Sequence, residues 1–418
     1  MNERSRGLAL RGVVAMMTLL ATAKLGDEMA RLVWRSGATA AIDLKWRHAE
    51  VQGWFNGVPV YRTMLAPTYP PASYALLWPF LGWMSWEAAR WFWAATTVVA
   101  LATLAWLIVR ETGATGAWQR ALAVLLLLAM NETGVVVGNG QLTFHVLAPL
   151  VTGLLLIHRG SGTWAEDLTA SVCVTFAMLK VTLAAPFLWV VVFAPSAAAT
   201  HRMWPQRLRP ALLIAVGYLA LTVFAASFQD AGLLTQLREW IGVTRRVSDR
   251  VGDYADVSAW LTTAGLDRLT SVVSLLTFFA LGVWGYRHRR VDLWVQLGVI
   301  AIVARFWAYH RQYDDVIVVL ALVALFRIAT GVVGRVGAAV PAAEAAREPQ
   351  VRAAATALIV TCMLFMLLPA RLGWAPPPGR QIFDVSHTAS WLGMLVFLGW
   401  WARVSNDNLE AVRSAPTR

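Results

Sequence analysis

Apolar residues run along the chain in long blocks, parted by short clusters of Arg, Pro and Gly. A bilayer core about 30 Å thick takes about 20 mostly apolar helical residues to cross. Lipid offers backbone polar groups no partners, so blocks near that length are helices. Twelve are read, over roughly 8–25, 71–84, 87–109, 119–136, 141–157, 168–194, 210–227, 268–286, 292–308, 314–333, 352–369 and 388–404. The fold expected is an all-α polytopic membrane bundle of about twelve transmembrane helices, one transmembrane domain over 1–418. The second block is short for a full crossing. Asn131, Glu132 and the glycines after them leave open a broken or re-entrant piece between 119 and 157. The first block follows Arg4 and Arg6 as a signal peptide would, but no small-residue cleavage site follows it, so it is read as a retained span.

Charge turns the blocks into a threading. Cytoplasmic loops carry excess Lys and Arg beside span ends. Arg4 and Arg6, then Arg202, Arg207 and Arg209, then Arg287, Arg289 and Arg290, then Arg335, Arg347 and Arg352 all fall on one side when twelve spans are threaded. Both termini are then cytoplasmic in a multi-pass protein of the cell (inner) membrane. Segments 26–70, 229–267 and 370–387 face outside, as does the short connection 309–313. The first of these, with a short helix over 44–55, is expected to be catalytic. The second, with an amphipathic run over 233–247, is assigned to the acceptor side.

Composition narrows the class. With 58% of its 418 residues hydrophobic and 14% charged, the chain is no ordinary soluble enzyme. The net charge of +12 sits between apolar blocks and not on one soluble face, so nucleic acid is not an expected partner; the bilayer is. Cys173 and Cys362 lie inside apolar blocks and behave as small hydrophobes. There is no Walker A loop, HExxH or Rossmann glycine fingerprint, so a cytosolic nucleotide-driven site is not expected; no cofactor is expected, and no metal is assigned.

Polar residues at membrane depth are costly and tend to face a cavity or a partner. Asp43 follows a run of small residues and opens a helix; it reads either as an N-cap or as a general base at the membrane surface. Downstream stand Gly57-Val-Pro59-Val-Tyr61 and Tyr69-Pro70-Pro71, both ordinary turn and helix-start chemistry. In Asn139-Gly140-Gln141, Gln141 shares a helix face with His145, itself read as a core residue. Lys180, six residues before Pro186, either pairs with a buried Asp or meets a phosphate. The most polar cluster beside a span is Arg305-Phe-Trp-Ala-Tyr309-His310-Arg311-Gln-Tyr313-Asp314-Asp315, which suits an anion, an aromatic belt at the interface, or both. Asp314 and Asp315 are read as partners of Arg305 or Arg311 in preference to metal ligands.

The order of these features resembles glycosyltransferase family 87: Asp43, Gly57-x-Pro59-x-Tyr61, Tyr69-Pro70-Pro71, Ala88 to Trp93, Asn139-Gly140-Gln141, and Lys180 before Pro186. The likeness is strongest over about 40–190. It implies a GT-C-type membrane enzyme, in a family that includes polyprenyl-phosphate-mannose-dependent mannosyltransferases. It further implies inverting transfer of a mannose-like or pentofuranose sugar from a polyprenyl-phosphate donor to a glycolipid or glycan hydroxyl outside the cell, with Asp43 as base. Cations for the carrier phosphate are expected to be His310 and Arg311, then Lys45, Arg305 and Lys180; Tyr61, Tyr69, Gln141 and Tyr309 are the substrate-binding candidates. The run 309–314 is more charged than the family pattern. The rival reading is a lipid or glycan transporter or flippase, which would often show symmetric internal repeats and a midplane site. No repeat is visible between the halves, and the ionisable residues gather toward one face.

Overall fold

The structure, a computed structural model, describes residues 3–37, 39–193, 204–250, 256–333, 348–368 and 376–414. Arg202, Arg335 and Arg347, used above for orientation, lie outside the described residues, as do parts of the second and third outer segments. All regular elements among the described residues are helical. The first half holds α1 (Glu3–Val33), α2 (Ile42–Phe55), α3 (Val60–Thr63), α4 (Pro71–Leu81), α5 (Trp86–Glu111), α6 (Ala117–Leu128), α7 (Asn131–Asn139), α8 (Thr143–Arg159), α9 (Trp164–Ala177), α10 (Val181–Ala184) and α11 (Leu188–Phe193). The second holds α12 (Trp204–Ala226), α13 (Leu233–Arg250), α14 (Val257–Thr263), α15 (Thr270–Arg287), α16 (Leu293–Phe306), α17 (Val319–Ala329), α18 (Glu348–Met366) and α19 (Pro377–Ser414).

Among the described residues, seven helical stretches are long and apolar enough to cross a membrane, and α6 with α7, bent by 53°, makes an eighth. The bend falls where Met130 leaves helical geometry (φ −56°, ψ 139°). Burial sorts the helices into an inner and an outer set. Every residue of α16 except Val303 is buried, as are nine of eleven in α17. An all-round apolar helix that is all-round buried is bundle interior. On α15 only Leu281, Gly282 and Gly285 are buried, so most of its apolar surface is left for lipid. Interior helices are short: α8 has 17 residues and α16 has 14.

Two of the twelve expected spans do not traverse the bundle. α4 has 11 residues, about 16 Å at 1.5 Å per residue. Both its flanks are bonded at the same end: Ser73 Oγ donates to Leu179 O (2.7 Å), and Met84 O accepts from His48 Nε2 (2.9 Å) and Gln52 Nε2 (3.1 Å). The stretch Trp164–Phe193 is long enough to cross, yet it folds back. Near its start Asp167 pairs with Arg209 (2.6 Å), and past the turn Trp189 Nε1 donates to Phe278 O (2.9 Å), midway along α15. Phe193 likewise packs edge-on against Tyr286 (5.5 Å), at the opposite end of α15 from Thr270. The turn is made at Lys180, whose φ −118° and ψ 84° break the helix, and by the 3-10 turn carrying Pro186. Removing two spans keeps the parity. Arg11 at the start of α1 stacks on Trp118 (5.7 Å), and α19 runs from Trp391 beside Phe306 to Leu398 beside Gly298, so α1 begins and α19 ends at the same end of the bundle.

Candidate functional site

At the other end, α2, the loop before α4, the α7–α8 junction, the Lys180 turn, α13, the start of α15 and the segment after α16 close around a cavity of about 250 Å³. Asp43 enters it from the first turn of α2. The helix is preceded by Ala41 in the left-handed region (φ 47°), with no side-chain cap, so Asp43 is not the N-cap considered above. The Ala41 amide donates to Gly138 O (3.2 Å), which ties the start of α2 to the end of α7. α7 ends at Gly140 with φ 68°, where a Cβ would come within 2.6 Å of the Leu44 Cβ. That tight turn brings the Gln141 amide to hydrogen-bond the Asp43 carboxylate. Burial pushes the Asp43 carboxyl above the ordinary carboxylate range, while the Gln141 bond and the fields of Arg47, Arg311 and Lys180 pull the other way.

α7 is itself held by a polar stripe on α1. Lys24 donates to Asn131 Oδ1, Arg31 donates to Asn139 Oδ1 (2.7 Å), and Arg31 pairs with Glu28 (2.8 Å). These long side chains fit because Gly134 and Gly138, one turn apart, face them; a Cβ at Gly138 would overlap Glu28 and Arg31.

Four cations line the cavity. Arg47 is held by Glu50 (2.5 Å) and lies over the Tyr69 ring (4.5 Å), and the backbone of Tyr69 is braced by the Tyr61 hydroxyl (2.7 Å to O). Lys180 pairs with Asp314 and lies over the Tyr313 ring (4.9 Å). Arg311 donates to the Tyr309 hydroxyl (2.6 Å), and Arg245 donates to Ser271 Oγ (3.2 Å). Among the described residues neither Arg311 nor Arg245 is in an ion pair, nor is Asp43.

Of the residues singled out from the sequence, Asp43, Tyr69, Gln141, Lys180, Tyr309 and Arg311 line this cavity together. Lys45, Tyr61, Arg305 and His310 do not. Lys45 is exposed elsewhere on α2, and Tyr61 sits behind Tyr69. Arg305 is wholly buried, paired with Asp315 and lying over Trp391 (5.5 Å). His310, 1% exposed, stands behind Asp314 and gives it Nδ1 (3.1 Å), beside the Thr143 hydroxyl (3.2 Å). Asp315 thus pairs with Arg305 as read, whereas Asp314 takes Lys180 and not an arginine. His145 stacks on Trp93 (4.1 Å), a core residue. Sequence reasoning left out Arg47, Trp240, Arg245 and Ser271. The amphipathic run of α13 was the available signal for two of them, but amphipathicity says that a helix lies on a surface and not what it covers.

No curated protein and no solved structure matches the chain. The family model described as Glycosyltransferase family 87 matches residues 68–333. That stretch supplies every wall of the cavity except α2 and Ala66. With an all-helical bundle rich in membrane-length apolar helices and a match over more than half its length, the chain belongs to glycosyltransferase family 87.

Proposed function

We propose that this membrane glycosyltransferase moves a sugar, mannose-like or pentofuranose, from a polyprenyl-phosphate donor to an acceptor hydroxyl on the non-cytoplasmic face, with inversion and with Asp43 as general base. The observation that carries the reading is one cavity holding a buried carboxylate and a guanidinium, Asp43 and Arg311, neither spent in an ion pair among the described residues. In a single displacement the acceptor oxygen bonds to the anomeric carbon as its proton passes to Asp43, and the bond from that carbon to the phosphate oxygen breaks. The carrier leaves as a phosphate monoester with one more negative charge than the diester had. A cation placed there stabilises the transition state more than the ground state.

Arg311 suits that role best, being charged over the whole working range and without a carboxylate partner among the described residues. Lys180 is held by Asp314 and contributes less net charge. His310 and Arg305, buried behind the lining, support the fold of this wall and do not touch substrate. Burial fits Asp43 to its task, since a carboxylate above its ordinary range is a stronger proton acceptor. Family membership favours this over the transporter reading.

The test is to incubate purified protein with a panel of polyprenyl-phosphate hexoses and pentoses and to follow carrier release. Asp43→Asn keeps the shape and removes the base, so release is expected to fall by at least about 10³-fold with little change in thermal stability. Undiminished release would sink the assignment.

A further inference from the structure

The outer wall of the cavity differs in kind from the inner one. α13 and the first turns of α15 present Trp240, Thr244, Arg245, Thr270, Ser271 and Ser274 to it. This wall is docked: Trp240 Nε1 donates to Thr68 O (2.8 Å), Arg62 Nε donates to Glu239 (2.8 Å), and Val243 is buried beneath the helix. With its N–H spent on the loop, the indole serves the cavity as an apolar plate. Hydroxyls stand beside it, and an aromatic plate with clustered hydroxyls suits a sugar, which has both C–H faces and O–H groups.

Arg245 adds a second requirement. The inner cations Arg47 and Lys180 are tied to Glu50 and Asp314. Arg245, exposed at the mouth, has among the described residues the neutral Ser271 hydroxyl as its partner and no carboxylate. A guanidinium with a neutral partner retains its capacity for a planar oxyanion, which it binds through paired, charge-assisted hydrogen bonds.

We propose that the α13–α15 wall is the acceptor subsite, and that the acceptor is an anionic saccharide whose carboxylate or phosphate is bound by Arg245. The proposal rests on the glycosyl-transfer reading and names the acceptor class for the same site. The sugar lies along Trp240 with its hydroxyls toward Thr270, Ser271 and Ser274, and its reacting hydroxyl points across the cavity to Asp43.

The test uses the full chain in nanodiscs of neutral phosphatidylcholine and three probes: octyl glucoside, octyl glucuronide and octyl glucoside 6-phosphate. Calorimetry is expected to show at least one anionic probe binding about tenfold tighter than octyl glucoside. Arg245→Gln brings that ratio near one, while Arg311→Gln leaves it. Equal affinity for all three probes, or a ratio that follows Arg311, overturns the proposal. If replacing part of the lipid by phosphatidylglycerol abolishes the preference in the unaltered protein, Arg245 answers to headgroups and the proposal also falls. The two readings fail separately. Carrier release retained in Asp43→Asn removes the base without touching the probe preference, and lost preference with Asp43 still essential removes only the acceptor class.

Discussion

Arg305 and Arg311 stand six positions apart and have opposite fates. Arg305 is sealed in the bundle against Asp315 and Trp391; Arg311 lies in the cavity against a tyrosine hydroxyl. Removing one partner of a buried ion pair costs about 3–5 kcal/mol, so Arg305→Gln is expected to lower the thermal or denaturant midpoint sharply. Arg311→Gln should leave that midpoint near its starting value and lower kcat by about 10²–10³-fold, as loss of one preorganised charge does elsewhere. The reverse pattern in a melting and rate comparison would reassign both residues. The cluster was legible in the sequence as charge beside a span. Which arginine the fold consumes was not, because Trp391 arrives from the far end of the chain. Asp43 carries a pH prediction. As the proposed base it must be deprotonated to act, and burial raises its pKa, so the acid limb of kcat/KM is expected above the ordinary carboxylate value of about 3.9. Binding the proposed phosphate-linked donor would disfavour the carboxylate further, so the limb for kcat is expected higher still. Gln141→Leu removes a hydrogen bond to the charged form and moves both limbs upward.

At the scale of elements, the meeting of α1 and α7 explains why Asn139-Gly140-Gln141 reads as a motif. Arg31 holds the asparagine, the left-handed glycine makes the turn, and the glutamine reaches the carboxylate. Gly138→Ala puts a methyl group into Glu28 and Arg31, which pushes α7 off its seat. The expected cost is about 1–3 kcal/mol of stability, with a fall in kcat of about tenfold or more as Gln141 and Asp43 lose register. A kinetic profile unchanged in Gly138→Ala would detach the seam from the site. Helix existence was readable from apolar blocks, since membrane-length runs leave the backbone few options. The seam was not, because hydropathy says nothing about which polar residues of two spans will meet.

For the whole molecule, the distinctive prediction concerns passage across the membrane. With Cys173 and Cys362 first replaced by Ala, Ser161→Cys and Arg289→Cys are expected to react with an impermeant maleimide from the same side, and Ser227→Cys from the other. Labelling of 161 and 289 from opposite sides would mean that Trp164–Phe193 crosses. The twelve-span threading counted that stretch because length and composition cannot distinguish a crossing from a retreat; only Lys180 and Pro186 hinted at the turn. Losing two spans, an even number, leaves the start of α1 and the end of α19 at one end of the bundle. The retreat also shapes what can reach the reactive centre. A chain that comes up, delivers a lysine and goes down again leaves no connecting loop above that lysine. What approaches Lys180 therefore meets it on a break between two packed helices, and not at the tip of an outer loop.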